Sequence, residues 1–167
     1  MRSFLLLVIL AAASIPIIGQ SKKSASGLKL TLEIHNDSVC SGESVQIFAT
    51  LTNKGRKPTV VDPNGIAAFR IFDRVNRKTG KIDTGASFAS ESGRPSHYKP
   101  KYFVLKSGTS YSRTLETSID REDFLSGKYR MQVGYKQTSI STFENSAVWN
   151  GIVYSNRVFL VVKNCKN

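Results

Sequence analysis

From Leu28 onward, apolar and polar residues take turns. Leu28, Leu30, Leu32 and Ile34 occupy one parity, and Lys29, Thr31, Glu33 and His35 the other. That is the period of a strand with one buried face. Asn36-Asp37-Ser38 interrupts it. Val45, Ile47, Ala49 and Leu51 resume it against Ser44, Gln46, Thr50 and Thr52, and Asn53-Lys54-Gly55 ends the run. Pro58 to Val61 is a short extended piece, closed by the dense turn signal Asp62-Pro63-Asn64-Gly65. Ile66 to Val75 is apolar at both parities apart from Arg70 and Asp73, which predicts a central strand. Thr79-Gly80-Lys81 predicts a hairpin turn into Ile82.

Asp83 to Pro100 differs in kind. Rich in Ser, Gly, Pro and Ala and without a sustained period, it is predicted to be the longest loop of the domain. Strands resume at Lys101 to Leu105 and Ser110 to Thr117. A charged turn, Asp120-Arg121-Glu122-Asp123, leads into Leu125 to Tyr135, and a polar connection from Thr138 to Asn150 leads into a last strand, Gly151 to Val162. No window carries a sustained helical period. About eight short strands with frequent turns predict an all-β fold, a two-sheet antiparallel sandwich.

Two features narrow the sandwich to the immunoglobulin or fibronectin III type. Tyr129, Met131, Val133 and Tyr135 share one face of their strand, and Lys128, Arg130, Gln132 and Lys136 the other. Tyr129 opens that strand directly after Leu125-Ser126-Gly127. Its placement resembles the tyrosine corner of immunoglobulin-like domains, whose hydroxyl bonds back to nearby backbone. Cys40 follows the first strand and Cys165 the last. In immunoglobulin-like folds part of the first strand can run parallel to the last, so the two cysteines are expected to meet and bond at one pole. Two buried free thiols are the competing reading. Trp149, at the mouth of the last strand, reads as a plug closing one end of the sandwich, with a stacking platform for a sugar as the alternative.

The first residues lie outside this pattern. Met1-Arg2-Ser3 is short and positive, Phe4 to Ala13 is an unbroken apolar run, and Ser14 to Gln20 drifts towards small and polar residues. This is the grammar of a secretory signal peptide; an uncleaved anchor is the competing reading. The expected organisation is a signal peptide over 1–20, a short linker over 21–27 and one domain over 28–167, exported to the periplasm or the exterior. No transmembrane span is expected in the mature chain. An oxidising compartment favours the disulfide reading.

Some segments look familiar. "GESVQIFATLTNKG", Gly42 to Gly55, resembles the second-strand segment of exported bacterial immunoglobulin-like domains. "FLSGKYRMQVGY" and "VWNGIVYSNRVFLVV" resemble the final two strands of uncharacterised secreted proteins of that kind. The first segment is also similar, more weakly, to the β-sandwich of BsuPI-type proteinase inhibitors. The matched residues are mostly core and turn positions, so the resemblance implies architecture and assigns no functional residue.

Charge adds the remaining information. The chain has 24 Lys and Arg against 12 Asp and Glu, a formal charge of +12. Such a protein associates with anionic surfaces, among them acidic polysaccharide, lipid headgroups and nucleic acid, although no motif favours nucleic acid. The basic residues crowd between Arg70 and Lys106. Arg74, Arg77, Lys78, Lys81, Arg94, His97, Tyr98, Lys99 and Lys101 form the candidate binding set. The competing reading gives these lysines the task of keeping edge strands soluble.

Catalytic signals are thin. Asp83-Thr84-Gly85 matches the active-site loop of aspartic proteases. That chemistry needs a second such loop to share the proton, together with an apolar-apolar-Gly segment, for which Gln132-Val133-Gly134 is a poor substitute. His35 and His97 stand far apart with no carboxylate at ligand spacing, so no metal or cofactor is expected. The sequence therefore predicts a non-catalytic, exported binding module. It would use its basic surface and the loop 83–100 to meet an anionic surface or another extracytoplasmic protein. Protease inhibition through that loop is the alternative, and an aspartic peptidase the remote one.

Overall fold

The computed structural model describes residues 27–66, 69–91, 99–138 and 142–165, with residues 84–91 described by their backbone. The expected signal peptide lies outside them, as do Arg94, His97 and Tyr98. Thirteen strands run in the order β1 (Leu28–Ile34), β2 (Ser38–Cys40), β3 (Ser44–Asn53), β4 (Thr59–Val61), β5 (Phe69–Val75), β6 (Ile82–Glu91), β7 (Phe103–Leu105), β8 (Ser110–Ser118), β9 (Gly127–Gln137), β10 (Thr142–Phe143), β11 (Ser146–Ala147), β12 (Gly151–Tyr154) and β13 (Val158–Lys163). The helical content described is one 3-10 turn, Pro63–Gly65.

Two sheets face each other. The smaller has the order β1-β3-β8; the larger has the order β2-β13-β9-β5-β6, with β12 also paired to β9. All pairings are antiparallel except β2 with β13, where Lys163 stands beside Cys40. That parallel pair brings the chain ends together, and the Cys40–Cys165 disulfide closes over it. The fold is an immunoglobulin-like antiparallel β-sandwich, as the alternation predicts.

The alternating residues meet between the sheets. Leu30, Leu32, Ile47, Ala49 and Leu51 of the small sheet pack against Phe72, Met131, Val133, Tyr135 and Leu160 of the large one. Burying Phe72, Met131 and each of the larger aliphatic side chains contributes about 1.5–3 kcal/mol apiece. The corner predicted at Tyr129 forms: its hydroxyl donates to the Leu125 carbonyl at 2.8 Å. Burial raises the pKa of this phenol, an effect partly offset by Arg74 and by the bond to Leu125.

The two ends of the sandwich are built differently. At the disulfide pole, the turns before β3, between β5 and β6, and before β9 come together. The opposite pole is organised by Asn53, which is fully buried. Its Nδ2 donates to the carbonyls of Lys57 and Leu105 at 2.9 Å, and its Oδ1 accepts from the Gly55 amide at 2.8 Å. The short pair β4–β7 is thereby tied to the end of β3. Here Trp149 packs against Tyr135, with ring centroids 5.1 Å apart, so the tryptophan closes this end.

Three expectations need correction. The stretch read as a loop from Asp83 to Pro100 is strand through Glu91, laddered to β5. Its small residues carry no apolar period, and the partner strand supplies the order that the sequence does not advertise. The connection from Thr138 to Asn150 contains the hairpin β10–β11, turned at Glu144 and Asn145, both at positive φ, the geometry of a type I′ turn. Finally, the last strand breaks between Tyr154 and Val158. Ser155 there donates its amide to the Val133 carbonyl and its hydroxyl accepts from the Val133 amide.

Candidate functional site

The basic candidates among the described residues do not form one surface. Arg74, Arg77, Lys78 and Lys81 gather at the β5–β6 hairpin on the disulfide pole. Lys99 and Lys101 precede β7, which is paired to β4 beside Tyr135 and Trp149 at the other pole. The length of β5, about 20 Å at the usual strand rise, separates the two groups.

The hairpin is fixed by its own polar atoms. Asn76 Oδ1 accepts from the amides of Lys78 and Thr79 at 3.0 and 3.1 Å, while the Asn76 amide donates to the Lys81 carbonyl at 2.8 Å. Gly80 supplies the left-handed residue, with φ of 67°. Arg77, Lys78 and Lys81 are exposed at this tip. Arg74 plays a different part. It points inward and donates to the Ser126 carbonyl at 3.3 Å, bracing the turn that precedes Tyr129. Gly127 leaves room for it, since a Cβ there would lie 3.3 Å from Arg74 Nε. A depression of about 290 Å³ sits between these residues, walled by Arg74, Arg77, Lys78, Asp83, Ser126 and Gly127.

The hairpin continues onto the outer face of the large sheet. Val75 pairs with Lys128, and Lys128 with Val161, so that row begins where the hairpin ends. Lys128 Nζ lies 4.2 Å above the Phe159 ring. In the next row Arg130 grips Asp73 through Nε at 3.0 Å and Nη2 at 2.5 Å, leaving that carboxylate neutralised. Further along, Tyr154, Gly134 and Phe69 share a row. Gly134 is the gap over which Phe69 lies: a Cβ there would fall within the ring. Phe69 meets Tyr154 edge-on at 5.2 Å. Ile152, Tyr154 and Phe159 are 46%, 53% and 49% exposed, a large apolar presence for one sheet face.

The sequence pointed to the hairpin cations and missed the aromatic part of this surface. Phe159 and Tyr154 alternate with core residues as polar positions usually do, and that parity was the available signal. Asp83, the first residue of the protease-like motif, lies where the β5–β6 register shifts: Val75 pairs with Ile82 and Asp73 with Ser87. Gln132-Val133-Gly134 sits in the middle of β9, four to six residues along the strand from Lys128 in the row of Ile82, with Val133 buried in the core. Among the described residues no group of three or more His, Cys, Asp or Glu is placed to hold a metal ion. Nor is any helix there long and apolar enough to cross a membrane.

No known protein family matches the chain, and no curated protein matches it in sequence. Solved structures resemble it distantly. An alkylpurine DNA glycosylase from Pseudomonas fluorescens, solved bound to DNA with an abasic-site analogue, is 13% identical over 83% of this chain, with a TM-score of 0.46. The sporulation control protein of Bacillus subtilis is 9% identical over 81%, with a TM-score of 0.47. This chain spans 31% of the former and 49% of the latter. A CARDB domain from Pyrococcus furiosus, solved with di-metal ions, is 13% identical; 81% of this chain covers 91% of it, with a TM-score of 0.37. The likeness extends to the β-sandwich fold alone.

Proposed function

We propose that the protein is a non-catalytic binding module for an anionic extracytoplasmic polymer. The strip from Arg77, Lys78 and Lys81 onto Lys128, Phe159 and Tyr154 is its recognition surface. One observation carries this reading: the exposed Lys128 lies over the exposed Phe159 ring in the rows next to the hairpin, and the Asp73 carboxylate beside them is already held by Arg130. Rings give flat apolar contact to sugar faces, and lysines and arginines give long-range attraction to carboxylates or sulfates. The disulfide suits an oxidising compartment, in keeping with export.

The test is binding to an acidic polysaccharide such as polygalacturonate, with neutral dextran as the control, across a salt series. Affinity should fall steeply between low and physiological ionic strength. Charge reversal at both Arg77 and Lys78 should weaken it at least tenfold. Binding that ignores both salt and this double substitution would sink the proposal. Protease inhibition through loop 83–100 loses half of its loop to β6, and Arg94-Pro95 lies outside the described residues.

A further inference from the structure

The two sheets differ in width, and the difference falls on one side. On one flank β1 packs against β9, β12 and β13. On the other, β8 lies over β5: Arg113 of β8 stands beside Arg70 of β5, and Thr117 shares a cavity with Arg70 and Phe72. Beyond β5 the large sheet continues into β6, whereas the small sheet stops at β8. Among the described residues, no strand pairs with the outer edge of β8.

The hydrogen bonding shows which groups that edge presents. Asn156 clips the opposite edge of the small sheet, accepting from the Leu32 amide at 2.7 Å and donating to the Leu32 carbonyl at 2.9 Å. Leu32 therefore turns both backbone groups away from β3. Its partner Ala49 turns its own towards β8, where it faces Arg113. The parity of an antiparallel ladder then commits Tyr111, Arg113, Leu115 and Thr117 to β3. Ser112, Thr114 and Glu116 direct their N–H and C=O groups outward. The β1 edge is closed by a side chain; among the described residues the β8 edge has no such cover.

The groove beneath this edge has a distinct chemistry. Arg70 and Arg113 project into it from the two sheets, and neither has a carboxylate partner among the described residues. Arg113 Nη1 donates to Asn64 Oδ1 at 3.3 Å, while the buried Nε of Arg70 has no hydrogen-bond partner. Burial, and then the charge of Arg113, lower the pKa of Arg70. Next to Arg70 a cavity of about 160 Å³ is lined by Phe72, Thr117 and Phe124 and also by the carboxylates of Asp120 and Asp123, neither of which pairs with Arg70.

We propose that the β8 edge is a strand-addition site for an extended peptide that places an acidic side chain between Arg70 and Arg113. The backbone of the peptide pairs with Ser112, Thr114 and Glu116, and its inward side chains enter the groove, the acidic one neutralising the two guanidiniums. A second copy of this chain is disfavoured there, because pairing β8 with β8 brings another set of arginines against the first.

The test uses an acetylated, amidated heptapeptide, Thr-Val-Thr-Glu-Thr-Val-Thr, and the same peptide with Lys in place of Glu. Titration should show binding of the Glu peptide and at least tenfold weaker binding of the Lys peptide. Hydrogen exchange at Ser112, Thr114 and Glu116 should be fast in the free protein and slow when the peptide is bound. Thr114→Pro removes an outward amide without touching the β3 ladder, as edge strands tolerate. It should abolish binding with the circular dichroism and melting curve retained. Arg113→Gln should weaken binding of the Glu peptide about tenfold with the exchange pattern of the free protein intact. Reversal of Arg77 and Lys78 should leave peptide binding unchanged, which separates this site from the polysaccharide surface. The proposal is overturned by any of four results: no binding, binding that survives Thr114→Pro, slow exchange of the three amides before peptide is added, or a dimer formed through this edge.

Discussion

The outer faces of the two sheets are covered in opposite ways. On the small sheet, hydroxyl pairs run across the strands: Thr50 with Ser112 at 2.8 Å and Thr52 with Ser110 at 2.9 Å. Lys29 there is outweighed by Glu33 and Glu116, and Phe48 is the exposed ring. On the large sheet the same alternation delivers Phe69, Tyr154 and Phe159 together with Lys128 and Arg130. Both faces satisfy the same inward pattern, so folding does not require the difference. A polar, balanced face suits contact with water; an aromatic and cationic one is the surface on which the proposed binding rests.

The contrast can be attacked in order of expected effect. The disulfide belongs wholly to the large sheet, and replacing both Cys40 and Cys165 by Ala should cost about 5 kcal/mol of unfolding free energy in urea, given the length of the loop it closes. A much smaller loss would mean that the β2–β13 pairing holds the chain ends together unaided. Gly134→Val places a side chain where the Phe69 ring lies and should cost about 1–3 kcal/mol by overpacking. It should also displace Phe69 from its edge-on contact with the half-exposed Tyr154. If stability is unchanged, Phe69 does not lie over that glycine in solution.

Tyr129→Phe should cost about 1 kcal/mol, the usual worth of a buried hydrogen bond. Its pH dependence has a definite sign. Because the folded phenol titrates above its ordinary value of 10.0, the stabilisation is complete below that pH and declines as pH rises through the folded value. The gap between wild type and variant should therefore narrow in alkaline buffer. The smallest effect belongs to the small sheet: Thr50→Val removes one exposed hydroxyl pair and should change stability by no more than about 0.5 kcal/mol. It should leave polysaccharide binding untouched.

Much of this architecture is legible in the sequence because it is carried by periodic large residues. The alternation from Leu28 to Ile34 and from Val45 to Leu51 specifies β1 and β3, two of the three strands of the small sheet. Leu125-Ser126-Gly127 before Tyr129 specifies the corner. The cysteine positions specify where the chain ends meet. What escaped was order supplied by a neighbour. The backbone of β6 is held by β5, so Ser, Ala and Gly suffice there and no period marks it. Asn53 reads as a turn residue, yet its side chain replaces several backbone partners at once, which only the arrangement of β4 and β7 reveals. The basic run between Arg70 and Lys106 is continuous in sequence and divided in space because β5 and β6 carry the chain from one pole to the other. Arg74 belongs to the candidate binding set by its charge, yet strand parity turns it inward.

The cross-link between Cys40 and Cys165 also governs how the domain would bear tension. A pull applied beyond Cys165 passes through the sulfur atoms directly to Cys40 and leaves along β1. The 125 residue steps between the two cysteines cannot lengthen while the bond is intact. Extension is confined to β1 and β2, and β1 is zipped to β3 on one side and clipped by Asn156 on the other. Under load the proposed recognition strip and the β8 edge would therefore keep their shape, and the disulfide-closed part of the domain would behave as an inextensible unit.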